Sequence, residues 1–245
     1  MLGAAGLGAV VALHPTASAG GFAVAGGIAV ATIALRRAAL WETLAFIALA
    51  GYIILNYGFT NLSLSVGLPI PVGYLLAFAA LFLGVVQQQF GLSHLARLPV
   101  LRLWGGLVVL SACHLLLDIP EFGLYAVRDV SFVIEGVFLL LGFLWAWADR
   151  GQRFLHLLAL IFVLNLLYSL TFPIGESLRA ISPVSGVFLQ VPVVGFYSNA
   201  AFFLVLGALF FILLGRQLGW PQWLTAGLAI LQLGWSFVFQ SRGTY

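Results

Sequence analysis

An all-α fold, a polytopic bundle of about eight or nine transmembrane helices, follows from three observations. Hydrophobic residues make up 63% of the 245 and charged residues only 7%. The mean hydropathy is +1.14. Apolar runs, cut by charges and Pro/Gly breaks, recur near the ~20 residues, with ~17 tolerated, that cross a bilayer. A water-soluble core of this size cannot bury so much apolar surface, so the solvent is lipid.

The elements can be taken in order. Residues 1–13 are apolar and small, and His14-Pro15-Thr16-Ala17-Ser18-Ala19 follows. The Ala-x-Ala ending imitates a signal peptide, but the positively charged n-region is absent. The stretch reads as a short first membrane segment, the weakest of the nine. Full spans are expected at 20–35, 40–57, 73–90, 103–118, 129–148, 154–172, 196–215 and 219–240. Arg36-Arg37 closes the first of these, and Arg102 and Asp118 bracket the fourth. Pro173 ends the sixth, Arg216 the seventh and Arg242 the last. No linker, charge run or low-complexity tract divides 1–245, which reads as a single membrane domain.

Arginine sets the orientation, since the chain has no lysine. By span parity, Arg36, Arg37, Arg97, Arg102, Arg150, Arg153 and Arg216 share one side. The other side holds Arg128, Arg179 and Arg242 with Asp118, Glu121, Asp129 and Glu176. The positive-inside rule makes the arginine-rich side cytoplasmic. Outer connections are longer and richer in breakers: 56–73, 118–129 and 173–197. The last contains Pro183 and Pro192 and is too interrupted to span, so it is expected to lie along the interface or re-enter shallowly. Inner loops read as short and merely basic, which places any chemistry outside.

Several function classes are excluded. No basic run exists to follow a nucleic-acid backbone, despite a pI near 9.4. Cys113 is the lone cysteine, so no disulfide or CxxC chemistry arises within the chain. His14, His94 and His156 fit no zinc spacing, and neither metal nor cofactor is expected. P-loops, GxGxxG fingerprints and nucleophilic triads are absent. Tyr57, Tyr125, Tyr168, Tyr197, Trp104, Trp147, Trp220 and Trp223 fall mostly near span ends, as an aromatic belt does.

The candidate residues are polar groups in or beside spans. Arg242 ends the last span on the outer side. Its guanidinium suits paired hydrogen bonds to a phosphate or pyrophosphate; it equally reads as an arginine snorkelling to headgroups. Arg128 and Asp129 open the span at 129–148, and Glu135 lies two turns in, on the face of Arg128. An intramembrane carboxylate faces a partner or a wet cavity, and His114 is the expected partner. Their depths from the outer surface differ by about 3 Å at ~1.5 Å per residue. The pair reads as a proton-handling or ligand-orienting site, or else as a helix-packing hydrogen bond. Arg179 reads as a surface ion pair with Glu176 or as a second cation over an anionic headgroup.

Three stretches carry a resemblance. Gly51-Tyr52-Ile53-Ile54-Leu55-Asn56-Tyr57-Gly58-Phe59, leading to Leu68-Pro69-Ile70-Pro71-Val72-Gly73, resembles the opening of bacterial O-antigen ligase and O-antigen polymerase-like membrane proteins. Pro120-Glu121-Phe122-Gly123-Leu124-Tyr125-Ala126-Val127-Arg128-Asp129 is similar to a later stretch of the same family. Phe239-Gln240-Ser241-Arg242-Gly243 resembles the Ser-Arg-Gly that opens its shared ligase/polymerase domain. The order covers the whole chain but only the N-terminal part of the family's architecture.

The resemblance implies a multi-pass protein of the bacterial inner (plasma) membrane. It implies a glycosyltransferase that takes glycan from an undecaprenyl-pyrophosphate donor at the periplasmic face, for a glycan or lipid A core acceptor. It carries Arg242 over as a pyrophosphate contact and, less directly, Arg128. The family's periplasmic loop, with its catalytic histidine and a further arginine, would lie beyond Tyr245. Two other readings stand beside this one. A bicarbonate-type anion transporter would rely on Glu135 and His114, and would need a water path to the cytoplasmic side; buried ionisable groups are expected only in the outer half. A non-catalytic structural subunit would use its polar residues for packing alone.

Overall fold

The computed structural model of the protein describes residues 38–66, 68–89, 99–123, 126, 133, 135–170, 184–185, 191–192 and 200–242. These are overwhelmingly helical. Helix α1, Leu40–Ala50, continues as one π turn, Gly51–Leu55, closed by the Asn56 amide on the Gly51 carbonyl at 3.1 Å. Asn56 then takes a φ of 50°, and the short α2, Tyr57–Thr60, follows. The expected span at 40–57 therefore breaks before its end. Packing explains the place: a Cβ on Gly51 would lie 2.5 Å from Phe59 Cζ, so the ring rests on bare backbone. Tyr52 meets that ring edge-on at 5.4 Å.

Strands β1, Ser63–Val66, and β2, Leu68–Pro71, pair antiparallel from Ser63↔Pro71 to Val66↔Leu68. This ribbon lies where only an irregular connection was expected. Helix α3, Val72–Gln87, leaves it directly. Helix α4, Pro99–Phe122, is longer than the run at 103–118 and is stopped by Gly123, whose φ is 58° and whose amide reaches the Ile119 carbonyl at 2.8 Å. Helix α5, Val137–Trp147, and helix α6, Gly151–Leu170, follow. A second small ribbon pairs β3, Val184–Ser185, with β4, Val191–Pro192. Helix α7, Ala200–Leu214, passes through a 3-10 turn, Gly215–Leu218, into α8, Gln222–Arg242.

Three helical stretches are long and apolar enough to cross a membrane: Pro99–Phe122, Gly151–Leu170 and Ala201–Leu218. Leu40–Leu55, Val72–Gln87 and Val137–Trp147 are apolar but shorter. The spans expected at 1–13 and 20–35 lie outside the described residues. On α4 only Leu101 is buried, while Leu103, Leu116 and Leu117 are each more than 70% exposed. In water that surface would be prohibitive; against hydrocarbon it is at home.

The chain packs as two compact units. One comprises Ala39–Ala45 with Tyr74–Gly151. Its centre is Trp41 against Trp145, ring centroids 4.8 Å apart, with Leu141 and Leu144 fully buried. Gly84 of α3 is there because a Cβ would overlap Leu144 and crowd the Trp41 ring at 3.2 Å. The other unit includes Phe46–Gly73 and the chain from Gln152 onward. In it α7 and α8 fold back on each other, and Phe162 of α6 meets Phe210 of α7 at 5.3 Å.

Candidate functional site

The best-built polar constellation centres on Glu42, whose side chain is fully buried. The donors to its carboxylate include three groups among the described residues. Oε2 accepts from the Ala39 amide at 2.8 Å and from Arg150 Nη1 at 3.0 Å. Oε1 accepts from Trp145 Nε1 at 3.2 Å. Each partner is delivered by a local motif. Glu42 stands at the third position of α1 and reaches back to the amide that precedes the helix, half of a capping box, where the helix dipole also favours a negative charge. At the end of α5, Asp149 takes a φ of 54°. The Arg150 amide then returns to the Trp145 carbonyl at 2.9 Å and the Asp149 amide to the Ala146 carbonyl at 3.2 Å. This is a Schellman turn, and it swings Arg150 back over Trp145 toward Glu42.

Glu42 was not among the residues singled out from the sequence, and its full burial is a finding of the structure. Burying an unpaired carboxylate costs several kcal/mol, so a charge at this position needs its arginine and its two hydrogen bonds. The Trp41 indole nitrogen is also buried in this cluster and has no hydrogen-bond partner among the described residues.

A second buried polar layer lies half-way along α6, α7 and α8. Gln232 of α8 is fully buried, and its Nε2 donates to the Phe162 carbonyl of α6 at 3.2 Å. Its Oε1 faces Gly207 of α7, where a Cβ would overlap it. Gln232 thus ties α8 to α6 and packs against α7, its Oε1 having no hydrogen-bond partner among the described residues; Asn165, Ser169 and Ser236 are buried along the same helices. Ser169 and Ser236 satisfy their hydroxyls on carbonyls one turn back, both at 2.7 Å. The Asn165 amide nitrogen has no partner among the described residues.

The residues singled out from the sequence fare differently. Arg242 is the last residue of α8. Arg128 and Arg179 lie outside the described residues. His114 sits on α4 with its side chain 66% exposed, and its Nδ1 is 3.9 Å from Asp118 Oδ2, one turn along the same helix. Glu135 is exposed, in a turn that precedes α5 rather than two turns inside a helix. No hydrogen bond or ion pair joins it to His114. Equal depth does not fix the direction in which a side chain leaves its helix, and His114 meets the carboxylate on its own face. Gly136, beside Glu135, is pressed against Trp104, whose Nε1 donates to the Val133 carbonyl at 3.0 Å.

The long apolar helices, the leucine surface of α4 and the amide ties between helices define a helical membrane protein. No protein family model, curated protein or solved structure matches the chain.

Proposed function

We propose that the chain is the membrane-embedded part of a lipid-linked glycan ligase or polymerase, with eight or nine spans in a bacterial plasma membrane. Its donor is an undecaprenyl-pyrophosphate-linked oligosaccharide at the outer face, and its acceptor a glycan or lipid A core. The observation that carries the proposal is the course of α8. The Gln152 side-chain amide donates to the Gln217 carbonyl, so the start of α6 meets the turn before α8 and Arg153 and Arg216 gather at one end. From there Gln222–Arg242 runs about 30 Å, one hydrocarbon thickness. It ends on Arg242, at the opposite end from Arg153 and Arg216, within the Ser-Arg-Gly that resembles the family's domain.

Chemically, glycosyl transfer breaks the bond between the sugar's anomeric carbon and the pyrophosphate while an acceptor hydroxyl attacks that carbon. Negative charge grows on the departing pyrophosphate, and a guanidinium placed there stabilises the transition state more than the ground state. Arg242 takes that role, with Arg128 and Arg179 as further cations at the outer surface. The exposed apolar helices provide the greasy flank that a polyprenyl chain needs.

Arg242→Ala, introduced into the complete reading frame, is expected to abolish surface glycan while the protein still accumulates in the membrane. Arg242→Lys keeps the charge but loses the paired hydrogen bonds, and is expected to restore only a fraction. Normal glycan in the alanine variant would sink the role given to Arg242. The glycan length ladder distinguishes polymerase from ligase: shortened chains mark the former, intact but unattached chains the latter.

A further inference from the structure

We infer that the end of the second-described unit where α6 meets the α7–α8 turn is a docking site for the headgroup of an anionic phospholipid. The inference rests on the helices lying in a bilayer and is independent of glycan transfer. Two arginines lie at this end of the helices. Arg216 is exposed on the 3-10 turn, and Arg153 follows Gln152, whose side chain bonds that turn at Gln217. Gly219, with a φ of 69°, reverses the chain and brings Trp220 back over the bundle. The Trp220 ring stacks on Phe211 at 6.1 Å and stands edge-on to His156 at 6.5 Å. His156 is itself oriented by Nδ1, 2.8 Å from the Gln152 carbonyl.

The charge is one-sided. Neither 151–170 nor 200–242 contains an aspartate or glutamate, so these three helices offer only cations. Guanidinium groups bind phosphodiester oxygens through paired, charge-assisted hydrogen bonds, and basic clefts between membrane helices hold anionic headgroups in this way. Apolar surface continues along the helices from the same end: Leu213 is 72% exposed one turn before Arg216, and Trp223 is 75% exposed in the first turn of α8. A free phosphate would use only the arginines. A phospholipid uses both, laying its acyl chains on Leu213 and Trp223, and the lipid is therefore the occupant.

The test uses the whole chain in nanodiscs of phosphatidylcholine alone or mixed with phosphatidylglycerol, with thermal unfolding followed by tryptophan fluorescence. Phosphatidylglycerol is expected to raise the transition by several degrees, and native mass spectrometry to show retained phosphatidylglycerol. The Arg153→Gln/Arg216→Gln variant is expected to lose most of that shift while unfolding normally in phosphatidylcholine; Arg153→Lys/Arg216→Lys is expected to keep much of it. An undiminished shift in the glutamine variant overturns the site. An equal shift from inorganic phosphate added to phosphatidylcholine discs overturns the lipid as its ligand. Failure to enter either bilayer overturns the membrane reading and this inference together.

Discussion

Arg150→Met is expected to destabilise the protein by about 3 kcal/mol, because it takes a cation away from a buried carboxylate. The Glu42 side chain has no access to solvent, so its charge cannot be rehydrated without opening the contact between α1 and α5. The Ala39 amide and the Trp145 indole are neutral donors and do not replace the Arg150 cation. Arg150 is itself 39% exposed, which places the expected loss at the lower end of the range for broken buried pairs. Glu42→Gln removes the charge and keeps an acceptor, and is expected to cost less. The combination Glu42→Gln/Arg150→Met is then more stable than Arg150→Met alone, since the uncompensated charge has gone. Thermal unfolding of the four proteins in one detergent measures the coupling. Strict additivity of the two substitutions would show that Arg150 is not neutralising Glu42.

Gly207→Ala should be the second large effect. In an exposed helix the change would gain up to about 1 kcal/mol of helix propensity. Here the new methyl overlaps Gln232 Oε1 and lies 3.0 Å from Phe162 Cδ1. Gln232 cannot simply swing away, because its Nε2 is held on the Phe162 carbonyl and the side chain is enclosed on all sides. Overpacking of this kind costs about 1–3 kcal/mol, and with the glycine site buried the upper end applies, so a net loss of about 2 kcal/mol is expected once the propensity gain is set against it. Gln232→Ala also loses the tie to α6, yet in the Gly207→Ala background it makes room. The double variant is expected to recover part of the lost stability. Gly207→Ala unfolding at the wild-type temperature would overturn this account of why glycine stands at 207.

Much of the helical order was legible because hydrophobic runs bounded by charge and proline are strong signals in a bilayer. The runs at 73–90, 154–172 and 219–240 differ by only a few residues from Val72–Gln87, Gly151–Leu170 and Gln222–Arg242. Two local departures inside expected spans have tertiary contacts beside them. The π turn after Ala50 depends on Phe59 packing on Gly51, and the turn at Glu135 adjoins Gly136, which is pressed against Trp104. Neither contact leaves a trace in hydropathy. The ribbon at Ser63–Pro71 was readable in principle, since Ser63-Leu64-Ser65-Val66 alternates with period two.

The polar sites were harder for a related reason. Glu42 could have been noticed as an acid in the first turn of a helix, but its arginine and tryptophan arrive from the far end of α5, more than a hundred residues on. Pairing His114 with Glu135 used depth alone, whereas contact also needs azimuth, and α4 points His114 along its own Asp118 face.

The nearly unburied α4 also bears on the lipids around it. The stretch 103–117 between Arg102 and Asp118, apolar but for Ser111 and His114, is about 22 Å long at ~1.5 Å per residue, against a hydrocarbon thickness of about 30 Å. Arg102 can stretch to regain a few ångström, but the short Asp118 cannot. Set across a bilayer, α4 would match a locally thinned membrane, or one whose headgroups and water dip to the turn of His114 and Asp118. A pinched annulus of lipid on one flank lowers the distance that any amphiphile's polar group must travel to reach the helices there.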